Sequence, residues 1–174
     1  MTEQHLPLTG KIAIVTGSSQ GIGRATALRL AQSGADIVIN YRSNASTAEE
    51  VKTQIEEMGR RCIIIQADVS QEEDVTRLFM KANESLGPIA ILVNNAGTTR
   101  DKLILQMSLA DFEYVVDINL RSTFLCTKAA LRNMMRSRWG RIVNVSSPAA
   151  LLGSAGQANY AASMAAILAL TLST

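Results

Sequence analysis

Five short apolar runs, each separated from the next by a stretch with apolar residues at helical spacing, constrain this chain more than any other feature. The runs fall at residues 11–16, 36–40, 61–66, 89–93 and 140–145, and stretches with a helical period occupy 21–33, 45–58, 71–85 and about 109–137. A run such as Ile12, Ala13, Ile14 and Val15 has no polar face, so it needs cover on both sides. Strands of that kind, alternating with helices, build a parallel sheet wrapped by its own crossover helices. The pattern predicts an α/β fold with a doubly wound parallel sheet. No repeat or linker-like tract breaks it, so a single domain over 1–174 is expected.

Composition narrows the classes of function. The 174 residues carry a formal charge of +2, spread along the chain, which gives no electrostatic case for nucleic acid or an anionic membrane. No segment holds eighteen uninterrupted apolar residues and no basic flank precedes an apolar run at the start, so a cytoplasmic protein is expected. Cys62 and Cys126 stand far apart, and the single histidine, His5, lies in a polar stretch, so no metal site is expected.

The first apolar run leads into Gly17, Ser18, Ser19, Gln20, Gly21, Ile22 and Gly23. Glycines between a strand and a helix permit a tight turn and close backbone approach, so that amide N–H groups and the helix N-terminus can hold a pyrophosphate. The strand before and the helix after favour dinucleotide binding over a merely structural turn. At the end of the second run, a carboxylate would bond an NAD ribose, whereas Arg42 offers a guanidinium to a 2′-phosphate, which favours NADP. Arg42 could otherwise be one more solvated arginine. Asp68, before Val69, can accept from an adenine amino group or simply cap or turn the chain.

With these features in view, the chain resembles the short-chain dehydrogenase/reductases. Thr16, Gly17, Gly21 and Gly23, then Asn94, Asn95, Ala96 and Gly97 after the fourth run, then Asn119, Ser147 and Tyr160 occur in that family's order and spacing. Residues 97–101, 140–143 and 156–162 are most similar to its 3-oxoacyl-(acyl-carrier-protein) reductases. The resemblance implies a Rossmann-type fold that binds NADP through the glycine turn, Arg42, Asp68, Val69, Asn95, Ala96, Gly97 and Tyr160. It implies reduction of a 3-oxoacyl thioester, carried by acyl-carrier protein or CoA, in fatty acid synthesis. Tyr160 would be the acid, Ser147 would steady the developing oxyanion, and Asn119 would hold a water in a proton relay.

The sequence departs from the pattern in two places. Where the family has lysine four residues after the tyrosine, this chain has Met164. That lysine would lie one turn on, bind the nicotinamide ribose and stabilise a tyrosinate by its charge. Methionine does neither, and losing a tuned acid/base group typically costs about 10² to 10⁴ in rate, so impaired turnover is expected. The chain also stops at Thr174, inside a helix that begins near Tyr160, so the domain is expected to be incomplete at its C-terminus, with the last strands missing and the fifth strand left as an edge. In relatives the helix over 122–136 and the one after Tyr160 pair in dimers or tetramers; Leu125, Ala129, Ala130, Leu131, Met134 and Met135 fit such an interface or a core face equally well. Arg136, Arg138 and Arg141 are expected near the mouth of the site, Arg138 at a position that meets the acidic carrier in the carrier-protein reductases. Two functions remain open: a weakened reductase, of this or another carbonyl substrate, and a non-catalytic dinucleotide-binding or assembly subunit.

Overall fold

A computed structural model describes residues 6–174, so His5 lies outside the described residues. The five apolar runs become β1 (Ile12–Val15), β2 (Asp36–Tyr41), β3 (Cys62–Gln66), β4 (Ile91–Asn94) and β5 (Arg141–Asn144). They pair in the order β3-β2-β1-β4-β5, all parallel, with Ile14 opposite both Val38 and Leu92. Each crossover carries a helix: α1 (Gly21–Gln32), α2 (Ala45–Glu57), α3 (Glu72–Ser85), then α4 (Leu109–Val116) and α5 (Ser122–Ser137). The chain closes with α6 (Ala149–Leu152) and α7 (Ala158–Leu172).

The alternation of side chains along the strands divides the core in two. Ile12, Ile14, Val38 and Ile65 face α3 and α5, where Leu78, Phe79, Cys126 and Ala130 pack. Ala13, Val15, Ile37 and Ile39 face α1 and α2, where Ala27, Ala31, Val51 and Ile55 pack. This is the doubly wound sheet that the apolar runs predict. Of the two alternatives for the apolar residues of α5, the core face holds for Leu125, Ala130 and Met134, while Met135 is 74 % exposed; Phe124, outside that set, is 48 % exposed. β5 has no second neighbour among the described residues, and Val143 on it is half exposed.

The long helical region over 109–137 is interrupted. Residues Asp117–Arg121 form a π-helical turn that carries Asn119, an insertion of a kind common at functional sites. At its far end α5 closes in a Schellman motif: Arg138 N–H donates to Met135 O (3.2 Å) and Trp139 N–H to Met134 O (3.1 Å). Arg138 takes the left-handed conformation there, at φ 52°, the only non-glycine residue to do so among the described residues. Gly140 follows where a Cβ would come within 2.5 Å of Met134 Sδ, which lets β5 start flush against α5.

α4 begins with a reciprocal cap: Ser108 Oγ accepts from Asp111 N–H (3.1 Å) and Asp111 Oδ2 accepts from Ser108 N–H (3.3 Å). Asp111 Oδ2 also accepts from Lys102 Nζ (2.8 Å) and Ser108 Oγ (2.6 Å). The Lys102 ammonium first, and the Ser108 hydroxyl second, hold the Asp111 carboxyl well below the usual carboxylate range. Because the folded pKa is depressed, the stabilisation is complete above the unfolded value of about 4 and is lost as the pH falls below it. Denaturant titrations should show the parent losing more stability than Asp111→Asn between pH 5 and pH 3; parallel losses would refute this. Arg138→Gly should raise stability by about 1 kcal/mol by relieving the left-handed backbone, read as a shifted urea midpoint at unchanged slope.

Candidate functional site

The glycine turn joins β1 to α1 at the carboxyl edge of the sheet. Gly17 sits at φ 61°, and a Cβ on it would approach Ala96 Cα to 3.1 Å. At Gly23 a Cβ would lie 2.5 Å from both Gly17 O and Asn95 Nδ2. Gly23 therefore seats the helix against the turn and does not face the cavity described below. Gln20, at the N-cap of α1, gives no side-chain cap, and the first turn holds no carboxylate. The leading N–H groups of α1 thus have no side-chain acceptor, as an anion-binding terminus requires.

Two buried side chains outside the sequence-based site set this geometry. Thr16 Oγ1 accepts from the amides of Asn95 (2.9 Å) and Ala96 (3.0 Å), and Asn95 Nδ2 returns a bond to Thr16 O (2.9 Å). Asn40, 1 % exposed, accepts from Gly17 N–H at Oδ1 (3.2 Å) and donates from Nδ2 to Ala67 O (3.1 Å). The sequence offered a signal for both, since a polar residue at the end of a wholly apolar strand must find partners inside.

These turns enclose a cavity of about 700 Å³. Gly17, Ser19, Gln20, Gly21, Ile22, Arg42, Asp68, Val69, Asn95, Ala96 and Gly97 all line it, joined by Asn40, Tyr41, Ser43, Asn44, Ser70, Thr98 and Ile118. Arg42 is exposed and forms no salt bridge among the described residues. Asp68 turns the chain, Oδ1 accepting from Ser70 N–H (3.0 Å) and Ser70 Oγ (2.7 Å), while its residue still borders the cavity. Both roles considered for it are compatible.

Ser147, Tyr160 and Asn119 lie outside that lining. Ser147 follows β5 and accepts from Ala149 N–H (3.2 Å), which starts the short α6. Tyr160 is half-buried in the first turn of α7, and its phenol oxygen has no hydrogen-bond partner among the described residues; only its main chain is bonded. Asn119 is fully buried: Oδ1 accepts from Thr98 N–H (2.8 Å), and Nδ2 donates to Thr98 O (3.1 Å) and Ser163 Oγ (3.0 Å). Both amide hydrogens are committed, so the side chain braces the turn after β4 against α7. Met164 is 5 % exposed, and its carbonyl accepts from Ser146 Oγ (3.0 Å). A thioether fills the position one turn after Tyr160. A second recess, of about 470 Å³, opens between Leu103, Ile104 and Leu105 on one side and Ser154, Ala155, Gly156 and Ala158 on the other.

Arg138 and Arg141 do not stand at the mouth of either hollow. Arg141 opens β5, and the ring of Trp139 beside it has Lys11 Nζ 4.1 Å and the Arg141 guanidinium 5.2 Å from its centre. Lys11 precedes β1, so this cluster marks the amino edge of the sheet, opposite the glycine turn and Ser147. Burial pushes the thiols of Cys62 and Cys126 up to about 12, which removes both as nucleophiles at neutral pH. Among the described residues no three His, Cys, Asp or Glu side chains gather as metal ligands, and no helix is long and apolar enough to cross a membrane.

Residues 11–174 match the family model described as short chain dehydrogenase. A 3-oxoacyl-(acyl-carrier-protein) reductase from Synechocystis is 43 % identical over 94 % of this chain and 66 % of its own length. One from Aquifex aeolicus is 41 % identical over 97 % of this chain and 68 % of its own. The chain thus spans about two thirds of the relatives it matches. The crystal structure of a short chain dehydrogenase from Mycobacterium avium superposes with a TM-score of 0.89 at 35 % identity, covering 95 % of this chain and 62 % of that one. Alike in sequence over 11–174 and in fold over nearly its whole length, the chain belongs to the short chain dehydrogenase family.

Proposed function

We propose that the chain is an NADP-dependent oxidoreductase that reduces a 3-oxoacyl thioester, carried by acyl-carrier protein or CoA, to the 3-hydroxyacyl form in fatty acid synthesis. The observation that carries this reading is the gathering of the glycine turn, Arg42, Asp68 and Asn95–Gly97 around one cavity at the carboxyl edge of a parallel sheet, the edge at which Ser147 also emerges. The names of the Synechocystis and Aquifex aeolicus relatives support the substrate class.

The residues present fit a dinucleotide. A Cβ at Gly17 would narrow the turn against Ala96, and the uncapped start of α1 offers N–H groups to a pyrophosphate. Arg42, with no carboxylate to neutralise it, suits a 2′-phosphate, and Asp68 keeps one carboxylate oxygen for an adenine amino group. When bound, NADPH supplies the hydride. Tyr160 gives its phenolic proton to the substrate oxygen, and the Ser147 hydroxyl donates to that oxygen as charge develops. Asn119 serves the relay by bracing Thr98 against α7. The apolar recess beside α7 suits an acyl chain. The working form is a cytoplasmic homo-oligomer, a dimer or tetramer, in which Phe124 and Met135 of α5 are the available apolar contacts.

Met164 sets the rate. A buried thioether supplies no charge to steady the Tyr160 oxygen as its proton leaves. The same substitution favours a second reading, a dinucleotide-binding subunit that does not turn over.

Two measurements separate these. Titration followed by nucleotide fluorescence should show NADPH binding more tightly than NADH, with Arg42→Ala weakening NADPH about 10- to 100-fold and leaving NADH unchanged. Equal affinities in the parent would overturn the assignment of NADP. Met164→Lys should raise turnover of an acetoacetyl thioester about 10²- to 10⁴-fold. A folded Met164→Lys protein that binds NADPH but gains no turnover favours the non-catalytic subunit.

A further inference from the structure

Tyr160 is held by its backbone from both sides. Its N–H donates to Asn159 Oδ1 (2.7 Å), and its carbonyl accepts from Ser163 Oγ (2.8 Å). Neither support is local alone. Asn159 Nδ2 donates to Arg100 O (3.0 Å) and to Asp111 O (3.3 Å), which ties the start of α7 both to the loop after β4 and to the first turn of α4. Ser163 Oγ accepts in turn from Asn119. Asn159 and Ser163 are 0 % and 1 % exposed, so no water can stand in for a lost bond without opening the core. The other ties between these segments, Gln157 Nε2 to Asp101 Oδ2 (2.9 Å) and Lys102 N–H to Gly156 O (2.8 Å), lie where solvent can replace them.

Further along α7, Ser163 Oγ accepts from Asn119, the Met164 carbonyl from Ser146 Oγ and Thr171 Oγ1 from Asn144 Nδ2 (2.9 Å), but these bonds lie beyond its first turn. Ala158, Ala161, Ala162, Ala165, Ala166 and Ala169 give it a smooth surface, and contacts between methyl groups resist sliding or rotation weakly. Directional bonds must set where along its axis and at what angle the helix sits. Gln157, at the N-cap, offers no side-chain cap, so the Asn159 carbonyl oxygen takes an N–H that is otherwise orphaned. Few side chains have the required set: one acceptor toward the next amide and two hydrogens toward two carbonyls. Aspartate has no donor, serine has one, and glutamine is longer by a methylene.

We propose that Asn159 is a positioning residue for Tyr160: the three hydrogen bonds of its buried side chain fix the first turn of α7 against the 100–111 segment and thereby aim the phenol. The role in catalysis rests on the reading of Tyr160 as proton donor. The geometry of the clamp does not, and the two are tested apart. A displacement of about 1 Å at a reacting group can cost about 10² in rate.

The chain has three tyrosines, which makes ¹⁹F NMR of the protein grown with 3-fluorotyrosine a direct test. Tyr160→Phe identifies the Tyr160 signal. Tyr41 on β2 is the distant control, and Tyr114, with the Arg100 guanidinium 3.5 Å from its ring centre, reports on the tethered segment. Asn159→Asp, which keeps the size and the acceptor but removes both donors, and Asn159→Ser should each displace the Tyr160 signal by more than its linewidth and leave Tyr41 in place. NADPH affinity should stay within about twofold, because Asn159 does not line the nucleotide cavity. Turnover, measured alongside, should fall about tenfold or more in kcat with KM little changed. A Tyr160 signal that stays put in either folded variant, whether or not Tyr114 moves, would overturn the proposal. If Tyr160→Phe leaves turnover untouched, the reading of Tyr160 as acid fails instead, while the displaced signal still shows the clamp.

Discussion

A single hydroxyl joins the two turns on which the candidate site depends. Thr16 Oγ1, 2 % exposed, accepts from the amides of Asn95 and Ala96, and the Asn95 side chain bonds back to Thr16 O and Gly17 O. β1 and β4 are neighbours, but the helix after β1 packs on one face and α5, reached from β4, on the other, so their backbones part company at the carboxyl edge. A crevice opens wherever the winding reverses in this way. Backbone groups that diverge lose their ladder partners and, being buried, must find others. Thr16 and Asn95 supply them at the β1–β4 junction and Asn40 does so between β1, β2 and β3. The cavity walls are thus bonded to each other before any ligand arrives, and a preorganised site loses less entropy on binding.

How much of this could be seen beforehand follows from what each signal encodes. The inner strands were legible because burial on both faces leaves few polar positions: β1 and β3 are shorter than their apolar runs by only a residue or two, and β2 extends one residue further. The glycine turn was legible because Gly17 and Gly23 meet steric limits that no other residue satisfies. The π-helical turn at Asn119 was not, since one extra residue in a helix leaves the apolar period nearly intact. Neither were the short α6 nor the 3₁₀ turn at Ile104–Gln106, whose residues follow no periodicity. Asn40 drew no notice in the sequence beside Arg42, although it is the more buried and more bonded of the two.

The arginines before β5 show a different limit. Order along the chain does not say which edge of the sheet a residue meets. A strand rises about 3.3 Å per residue, so Arg141 and Asn144, three positions apart, stand about 10 Å apart at opposite ends of β5. Arg138 and Arg141 thus sit with Lys11 and Trp139 at the amino edge, while Ser147 lies beyond the other end. Likewise the apolar residues of α5 gave one stripe in one dimension, but helical geometry assigns Leu125, Ala130 and Met134 inward and Met135 outward.

On the reading proposed above, Met164 separates binding from turnover in physical terms. The groups suited to a dinucleotide lie on turns fixed by Thr16 and Asn40, and among the described residues the Asn119 side chain braces the turn after β4 against α7. Replacing an ammonium by a thioether in the second turn of α7 therefore leaves those turns as they are. The Tyr160 phenol oxygen nearby has no hydrogen-bond partner among the described residues, and only the main chain of that residue is bonded. A buried thioether is accommodated by apolar packing and costs the fold little, whereas a buried ammonium needs a partner to be stable. Met164 thus packs as part of the core, and the polar clamps of Asn159 and Ser163 hold the Tyr160 backbone independently of it.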